Sequence, residues 1–263
     1  MIPKSLFRTC FVLLCVLGRG PVANASIPQF TDSDIEHPSP IQGSKDKFQH
    51  SLSGLYAIPS AAAHELKQPY ADFDTLYSKG EVAQAELKQL LTQISLHTDT
   101  KPILPGIKSK QRAKFKVDTE LNGHADKLTD LARGSLIAKD IPSLIDAFEL
   151  LGHEATIIET KNRFKSPAPS GYRDLKVLIS LTNSQIIAEV QLHLETIAEI
   201  KNGPEHEIYE TIQQLERLAI AEERELNEFE LARIKQLRST SLTMYQHAWH
   251  HYLQPSGLTA QAS

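Results

Sequence analysis

Residues 161–191 read KNRFKSPAPSGYRDLKVLISLTNSQIIAEVQ. The opening is a loop: Lys161, Arg163 and Lys165 make it basic, and Pro167 and Pro169 keep it out of helix and sheet. It ends at Gly171-Tyr172-Arg173-Asp174, with the tyrosine expected at the surface. Residues 174–181 and 185–192 then read as two strands joined through Asn183-Ser184, which makes an antiparallel hairpin. In the second strand Ile186, Ala188, Val190 and Leu192 point one way; Ile187, Glu189, Gln191 and His193 point the other. One face is core and the other becomes polar. A cationic loop, an aromatic ring and a carboxylate on a strand suit a nucleotide-phosphate site.

Outward from the hairpin, residues 155–160 (ATIIET) and 136–138 read as further strands, with a helix between them capped by Ser143 and ended by Gly152. Upstream, residues 26–60 are a flexible leader. Residues 61–104 are a helical extension, with Val82, Ala85, Leu87, Leu90, Leu91 and Ile94 at helical spacing. Downstream, 205–254 is a long, charge-dense C-terminal helix available for self-association, and 255–263 is a disordered tail. The fold class is therefore α+β: a mixed β-sheet of about five strands flanked by helices.

Residues 107–116 (IKSKQRAKFK) carry five cations in nine positions, Lys108 to Lys116. On a helix, Lys108, Arg112 and Lys116 stack on one face and repel one another, a cost that an anionic ligand relieves.

The first 25 residues form a secretory signal peptide: Lys4 and Arg8, the apolar run 11–17, and Ala23-Asn24-Ala25 with cleavage after Ala25. Export to the periplasm or beyond, and delivery into another cell's cytoplasm, follow as expectations. Both cysteines, Cys10 and Cys15, lie in this segment, so the remainder has no thiol for disulfides, zinc or nucleophilic attack. The segment also holds Lys4, Arg8 and Arg19 and no acid, so a net charge of −4 minus three gives −7 for the remainder. Such a chain is a poor general nucleic-acid binder, and a phosphate ligand must be held by a local basic cluster. After signal cleavage nothing is apolar for long enough to hold the chain in a membrane. HExxH, phosphate-binding P-loop, dinucleotide-binding and G-x-S-x-G patterns are absent. Asp130 and Glu189 remain as carboxylates in apolar strand surroundings, a hard-oxygen set for Mg²⁺ beside two basic segments.

The run Asp130-Leu131-Ala132-Arg133-Gly134-Ser135, then Lys161 to Val177, then Ala188-Glu189-Val190-Gln191-Leu192-His193 resembles the synthetase domain of the RelA/SpoT family of guanosine tetraphosphate synthetases, in its small stand-alone or toxin-like branch. The resemblance covers about residues 105–215 and implies a nucleotidyltransferase-like sheet. It also implies a Mg²⁺-dependent pyrophosphokinase that moves pyrophosphate from ATP to the 3′-hydroxyl of GDP, GTP or an adenine nucleotide, or of an RNA 3′ end. By resemblance, Lys108, Arg112, Lys114 and Lys116 hold the ATP phosphates and Arg133 sits beside them. Asp130 and Glu189 hold Mg²⁺, and Glu189 activates the acceptor hydroxyl with Gln191 in support. Lys161, Arg163 and Lys165 approach the acceptor phosphates, and Tyr172 stacks on the acceptor base. His206 and Tyr209 fall where the family has a His-x-x-Tyr helix start, and His206 reads as a helix-start or core residue. The chain departs from the family pattern at Ser170 (Asn in the family), at Lys176 (His) and in the shifted Arg133-Gly134 pair. The alternative is a catalytically inactive scaffold of the same fold, acting through the C-terminal helix.

Overall fold

The strands following Asp174 lie near the middle of a five-stranded sheet of order β1-β2-β5-β4-β3 in the computed structural model, which describes residues 51–62 and 65–253. The expected signal peptide, most of the expected leader and the expected tail lie outside the described residues. The strands are β1 (Thr100–Ile103), β2 (Arg133–Ala138), β3 (Thr156–Asn162), β4 (Leu175–Ser180) and β5 (Ile187–Leu194). β4 and β5 form the expected antiparallel hairpin. β3 pairs antiparallel with β4, β1 antiparallel with β2, and β2 parallel with β5.

The helices are α1 (Leu52–Ala57), α2 (Phe73–His97), α3 (Lys110–Thr119), α4 (Ile141–Glu154), α5 (Glu195–Asn202), α6 (Pro204–Ala221) and α7 (Glu228–Leu253). α2 and α4 cover the apolar side of the sheet: Leu87, Leu91 and Ile94 from α2 and Leu144 and Ile145 from α4 join Leu136, Val177, Val190 and Leu192 in one buried cluster. α2 lies so close to β2 that a Cβ on Gly134 would meet Leu91 Cδ1 at 2.6 Å. The opposite face carries the alternate residues. Register places Ile103, Ser135, Gln191, Lys176 and Lys161 in one row across it. Arg133 and Glu189 are partners in the next row, and Ile137 and His193 in the row on the other side. α5 covers part of this polar face.

Several elements differ from the sequence expectation. Residues 61–104 are no helical appendage: α2 supplies much of the core, and Thr100–Ile103 is an edge strand, where Pro102 costs no ladder bond toward a second neighbour. Ala61 bridges Thr160 through paired backbone bonds of 2.9 and 2.8 Å instead of starting a helix. The end of the presumed leader is folded as well, since Leu55 is fully buried and Asn162 Nδ2 donates to the carbonyls of Leu55 and Ile58. α4 is capped by Asp140, whose Oδ1 accepts from Ser143 N at 2.9 Å, and it continues through Gly152. α3 starts only at Lys110, with Ser109 as its cap, so Lys108 lies outside it. The long C-terminal helix is Glu228–Leu253, and α6 is a separate helix before it. The break is a capping box: Asn227 Oδ1 accepts from Glu230 N, and Glu230 Oε2 accepts from Asn227 N, both at 2.9 Å.

Two buried or half-buried glutamines pin the ends of the central strands. Gln68 Nε2 donates to the carbonyls of Leu128 and Ile187, and its Oε1 accepts from Ile187 N. Gln84, on α2, does the same for Arg133: its Oε1 accepts from Arg133 N, and its Nε2 donates to the carbonyls of Arg133 and Pro105. No described helix is long and apolar enough to cross a membrane.

α7 is held onto the loop before β4 at Gly171. This residue has φ +83°, and a Cβ there would lie 2.9 Å from Leu242 Cδ1 and 3.3 Å from Leu242 Cα. Gly171→Ala therefore meets both a left-handed backbone and a packed helix, and is expected to lower stability by about 1–3 kcal/mol in urea denaturation. An unchanged midpoint would show that α7 does not bear on this loop.

Candidate active site

α3 and α6 face each other across a cleft of about 970 Å³. Lys108, Arg112, Lys116, Arg133 and Arg217 line it, with the exposed rings of Phe115 and Tyr209 and the imidazole of His206. Like charges gathered this way need a counter-charge, and Asp130 supplies it. Its Oδ2 lies 2.7 Å from Lys108 Nζ and 3.0 Å from Lys116 Nζ. Burial pushes the Asp130 carboxyl up, but hydrogen bonds and charge from the two lysines outweigh this and hold it below the usual range. Its other oxygen, Oδ1, is buried with no partner. Lys114 is not part of the cleft: it pairs with Asp118 at 2.8 Å and stands over the Phe73 ring.

A smaller cavity of about 230 Å³ opens on the polar face of β2 and β5, lined by Arg133, Ser135, Glu189, Gln191, His193 and Lys201 among others. A run of side chains crosses it. Lys201 Nζ donates to Gln191 Oε1 at 3.2 Å, and Gln191 Nε2 donates to Glu189 Oε1 at 3.0 Å. Glu189 Oε2 lies 3.4 Å from Lys176 Nζ. Arg133 belongs to both cavities, and its Nε is buried without a partner. The Gln84 clamp on its backbone fixes where that side chain starts.

The basic loop is used differently from the expectation. Arg163 does not face a ligand: its Nε and Nη2 bind Asp174 Oδ1 and Oδ2 at 2.6 and 3.1 Å. Asp174 is fully buried, and an uncompensated carboxylate there would be costly, so it claims the nearest guanidinium. Burial raises the Asp174 carboxyl, against the opposing pull of Arg163 and Tyr172. Tyr172 is not a surface ring either. It packs against His193 and Tyr245, and Arg163 stands 5.4 Å above its ring. Its hydroxyl lies 2.8 Å from Asp174 Oδ2 and 2.6 Å from His193 Nε2. Since the hydroxyl donates to the carboxylate, His193 must carry its proton on Nε2 and donate it to the tyrosine oxygen. His193 Nδ1 is then an acceptor, and it too is buried with no partner. Lys161 and Lys165 are exposed and line neither cavity.

The structure thus brings Lys108, Arg112, Lys116 and Arg133 together along one cleft, with Asp130 bound to Lys108 and Lys116, and sets Glu189 beside Gln191. It leaves Lys114, Lys161, Arg163, Lys165 and Tyr172 outside the two cavities. Sequence reasoning missed Lys201, Arg217 and Phe115, and set aside His206 and Tyr209. The His206–Tyr209 spacing was a visible signal; a lone lysine at the end of a short helix was none. Among the described residues no three His, Cys, Asp or Glu side chains cluster as a metal site.

No family model matches the chain, and no curated protein matches it. Solved structures do. The type VI effector Tas1 in complex with its immunity protein is similar at 21% identity and a TM-score of 0.49, over 68% of this chain and 96% of that one. Small alarmone synthetase 2 from Bacillus subtilis is similar at 21% and 0.49, over 67% and 92%. A GTP pyrophosphokinase family protein from Streptococcus pneumoniae follows at 15% and 0.46, over 67% and 91%.

The buried histidine gives a pH test. Burial, then the charges of Lys201 and Arg163, push the His193 imidazole well below its usual value of 6.5. As pH falls below that value the unfolded chain takes up a proton that the folded ring refuses, so stability present above 6.5 is lost on acidification. The expected loss is about 1.4 kcal/mol per pH unit until the folded ring titrates. His193→Gln keeps a partner for Tyr172 and removes this component. Urea midpoints at pH 7 and pH 5.5 should therefore fall further in the wild type than in the variant; parallel falls would refute the assignment.

Proposed function

We propose that the chain transfers a pyrophosphoryl group from ATP to a hydroxyl of an acceptor nucleotide. The observation that carries this reading is the parallel partnership of Arg133 and Glu189. It sets a cation shared by both cavities beside a carboxylate of the smaller one. The large cleft takes the donor, with its triphosphate among Lys108, Arg112, Lys116 and Arg133. Phe115 and Tyr209 offer apolar ring surface for its base. The smaller cavity takes the acceptor, with its hydroxyl at Glu189.

In that arrangement the acceptor oxygen attacks the β-phosphorus of ATP, the bond to the α-phosphate oxygen breaks, AMP leaves, and the hydroxyl proton passes to Glu189. Positioning and charge supply most of such a reaction, and little covalent help is needed. Gln191 and Lys201 keep the Glu189 carboxylate aimed. Lys108 and Lys116 share a single oxygen of Asp130, so phosphate oxygens entering the cleft can recruit them.

The donor set fits Mg²⁺. Asp130 Oδ1 is an unpaired buried oxygen, and Asp130 and Glu189 are the hard ligands that ion prefers. When bound, Mg²⁺ would neutralise charge on the transferred phosphates. Tyr172 and Arg163 are assigned to holding Asp174 and His193, not to the acceptor. We infer from the expected export segment that the enzyme works where another cell supplies the ATP, as a delivered effector.

A second reading is favoured by one observation. Leu218, Ile220, Phe229 and Leu231 are exposed around the α6–α7 turn, an apolar end through which copies of the chain could associate. It predicts a concentration-dependent oligomer in sedimentation and no binding of Mg²⁺–ATP in calorimetry.

The full chain with ATP, Mg²⁺ and a panel of GDP, GTP, AMP, ADP, ATP and tRNA should give a pyrophosphorylated product and AMP by mass spectrometry. Glu189→Gln should slow it by about 10²–10⁴-fold. Failure to modify any acceptor would dispose of the enzyme reading.

A further inference from the structure

α6 supplies half of the residues that line the large cleft, His206, Tyr209 and Arg217 among them, yet it is lightly held. Of its eighteen residues only Glu205 and Ala219 are buried, one near each end. A single residue, Gly203, joins it to α5, so no loop fixes the direction in which it leaves. Ile208, Ile212 and Leu215 are half-buried along it. Its Glu216 pairs with Arg238 of α7 at 2.9 Å, but both side chains are largely in solvent, where such a pair contributes little.

Glu205 differs from all of these. It lies in the first turn of α6 and is 8% exposed, and α7 takes both oxygens of its carboxylate. Oε1 accepts from Ser241 Oγ at 3.2 Å, and Oε2 accepts from the Tyr245 hydroxyl at 3.0 Å. Both donors are themselves buried. Burial pushes the Glu205 carboxyl above its ordinary range, and the two hydroxyls pull it back. A buried carboxylate stripped of its hydrogen bonds returns to water, and here it would carry the first turn of α6 away from α7. The ring of Tyr245 also packs edge-on against Tyr172, at 5.6 Å between centroids. One residue of α7 thus bears on both the cleft wall and the loop before β4.

We infer that Glu205 is a positioning residue for the large cleft: its hold on Ser241 and Tyr245 fixes the angle at which α6 leaves α5, and with it the separation of the α6 wall from the cations of α3. The inference rests on the donor reading of that cleft and deepens it. Glu205 touches no ligand. It sets how tightly the donor is enclosed by deciding where His206, Tyr209 and Arg217 stand relative to Lys108, Arg112 and Lys116.

The test reads the separation directly. Gln111 on α3 and Gln214 on α6 are exposed and line opposite walls. In the full chain with Cys10→Ser and Cys15→Ser, nitroxide labels at Gln111→Cys and Gln214→Cys report the width of the cleft by pulsed electron spin resonance. With Glu205 intact the distance distribution should be single and narrow. Glu205→Ala should broaden it and move its centre outward. Ser241→Ala and Tyr245→Phe, which each leave one hydroxyl, should give intermediate distributions, as should Glu205→Gln, which keeps one acceptor oxygen. In unlabelled chains, calorimetry with Mg²⁺ and a non-hydrolysable ATP analogue should show affinity at least about tenfold weaker in Glu205→Ala. Glu205→Ala with Tyr245→Phe should be no weaker than Glu205→Ala alone, since both remove one interaction. A lower urea midpoint with an unchanged distance distribution and unchanged affinity would mean a purely structural role, and would overturn the inference. Additive losses in the double variant would overturn it too. If Glu205→Ala does not fold, the Ser241→Ala and Tyr245→Phe chains decide by the same readings. If the wild type does not bind the ATP analogue, the donor reading fails by itself; the distance distributions then decide whether Glu205 sets the cleft, and identical distributions overturn that.

Discussion

The parallel pairing of β2 with β5 is the constraint on which the rest depends. Parallel neighbours need a crossover, here provided by α4, β3 and β4, and the crossover packs α4 on one face while leaving the other open. On the open face, register alone decides what stands beside what. It sets Arg133 next to Glu189, Ser135 next to Gln191 and Ile137 next to His193. A slip of one residue would turn Arg133 into the core and abolish the wall between the two cavities. The Gln68 and Gln84 clamps read as insurance against that slip, because each replaces ladder hydrogen bonds at the start of one of these two strands.

Around this pair the protein handles buried charge in two ways. Asp130 holds two lysines with one oxygen and leaves the other buried without a partner, so the arrangement is only partly satisfied and able to rearrange. Asp174 takes a bidentate guanidinium and a phenol, and nothing about it is left over. A pair of the second kind is costly to break from either side, which suits a structural post; the first kind suits a site that exchanges partners. Two basic segments that look alike in sequence thus differ in use. In one the cations face a cleft, and in the other the guanidinium is consumed by the fold.

Much of the fold was legible. Alternation through β5 separated core from polar face, and the helical spacing in α2 was correct even though its role as a core helix was not seen. β1 was hidden by Pro102, which argues against a strand unless the strand lies at an edge, and edge placement is a tertiary fact. The break after α6 was hidden by charge density, although Asn227 and Glu230 stand at capping-box spacing in the sequence. Of the candidate site, the grouping of Arg133, Glu189, Gln191 and part of the basic segment at the two cavities, with Asp130 under two of its lysines, matches local patterns in the sequence. Arg163 and Tyr172 were misplaced because Asp174 reads in sequence as an ordinary strand-start acid, and its full burial, like the approach of His193 to Tyr172, is a tertiary fact. Lys201 had no local signature: it reaches Gln191 because α5 folds back over β5.

The C-terminal helix closes the loop before β4 with Leu242 and Tyr245 at Gly171 and Tyr172, and Arg173 stands over Trp249. Tyr252 reaches further, its hydroxyl accepting from Thr196 N at the start of α5. Every described strand ends by residue 194, whereas the helix that packs on that loop spans Glu228–Leu253. The loop that opens the hairpin is thus shaped by a helix made much later in the chain, so a change on the Leu242–Tyr245 face of α7 bears directly on Gly171 and Tyr172.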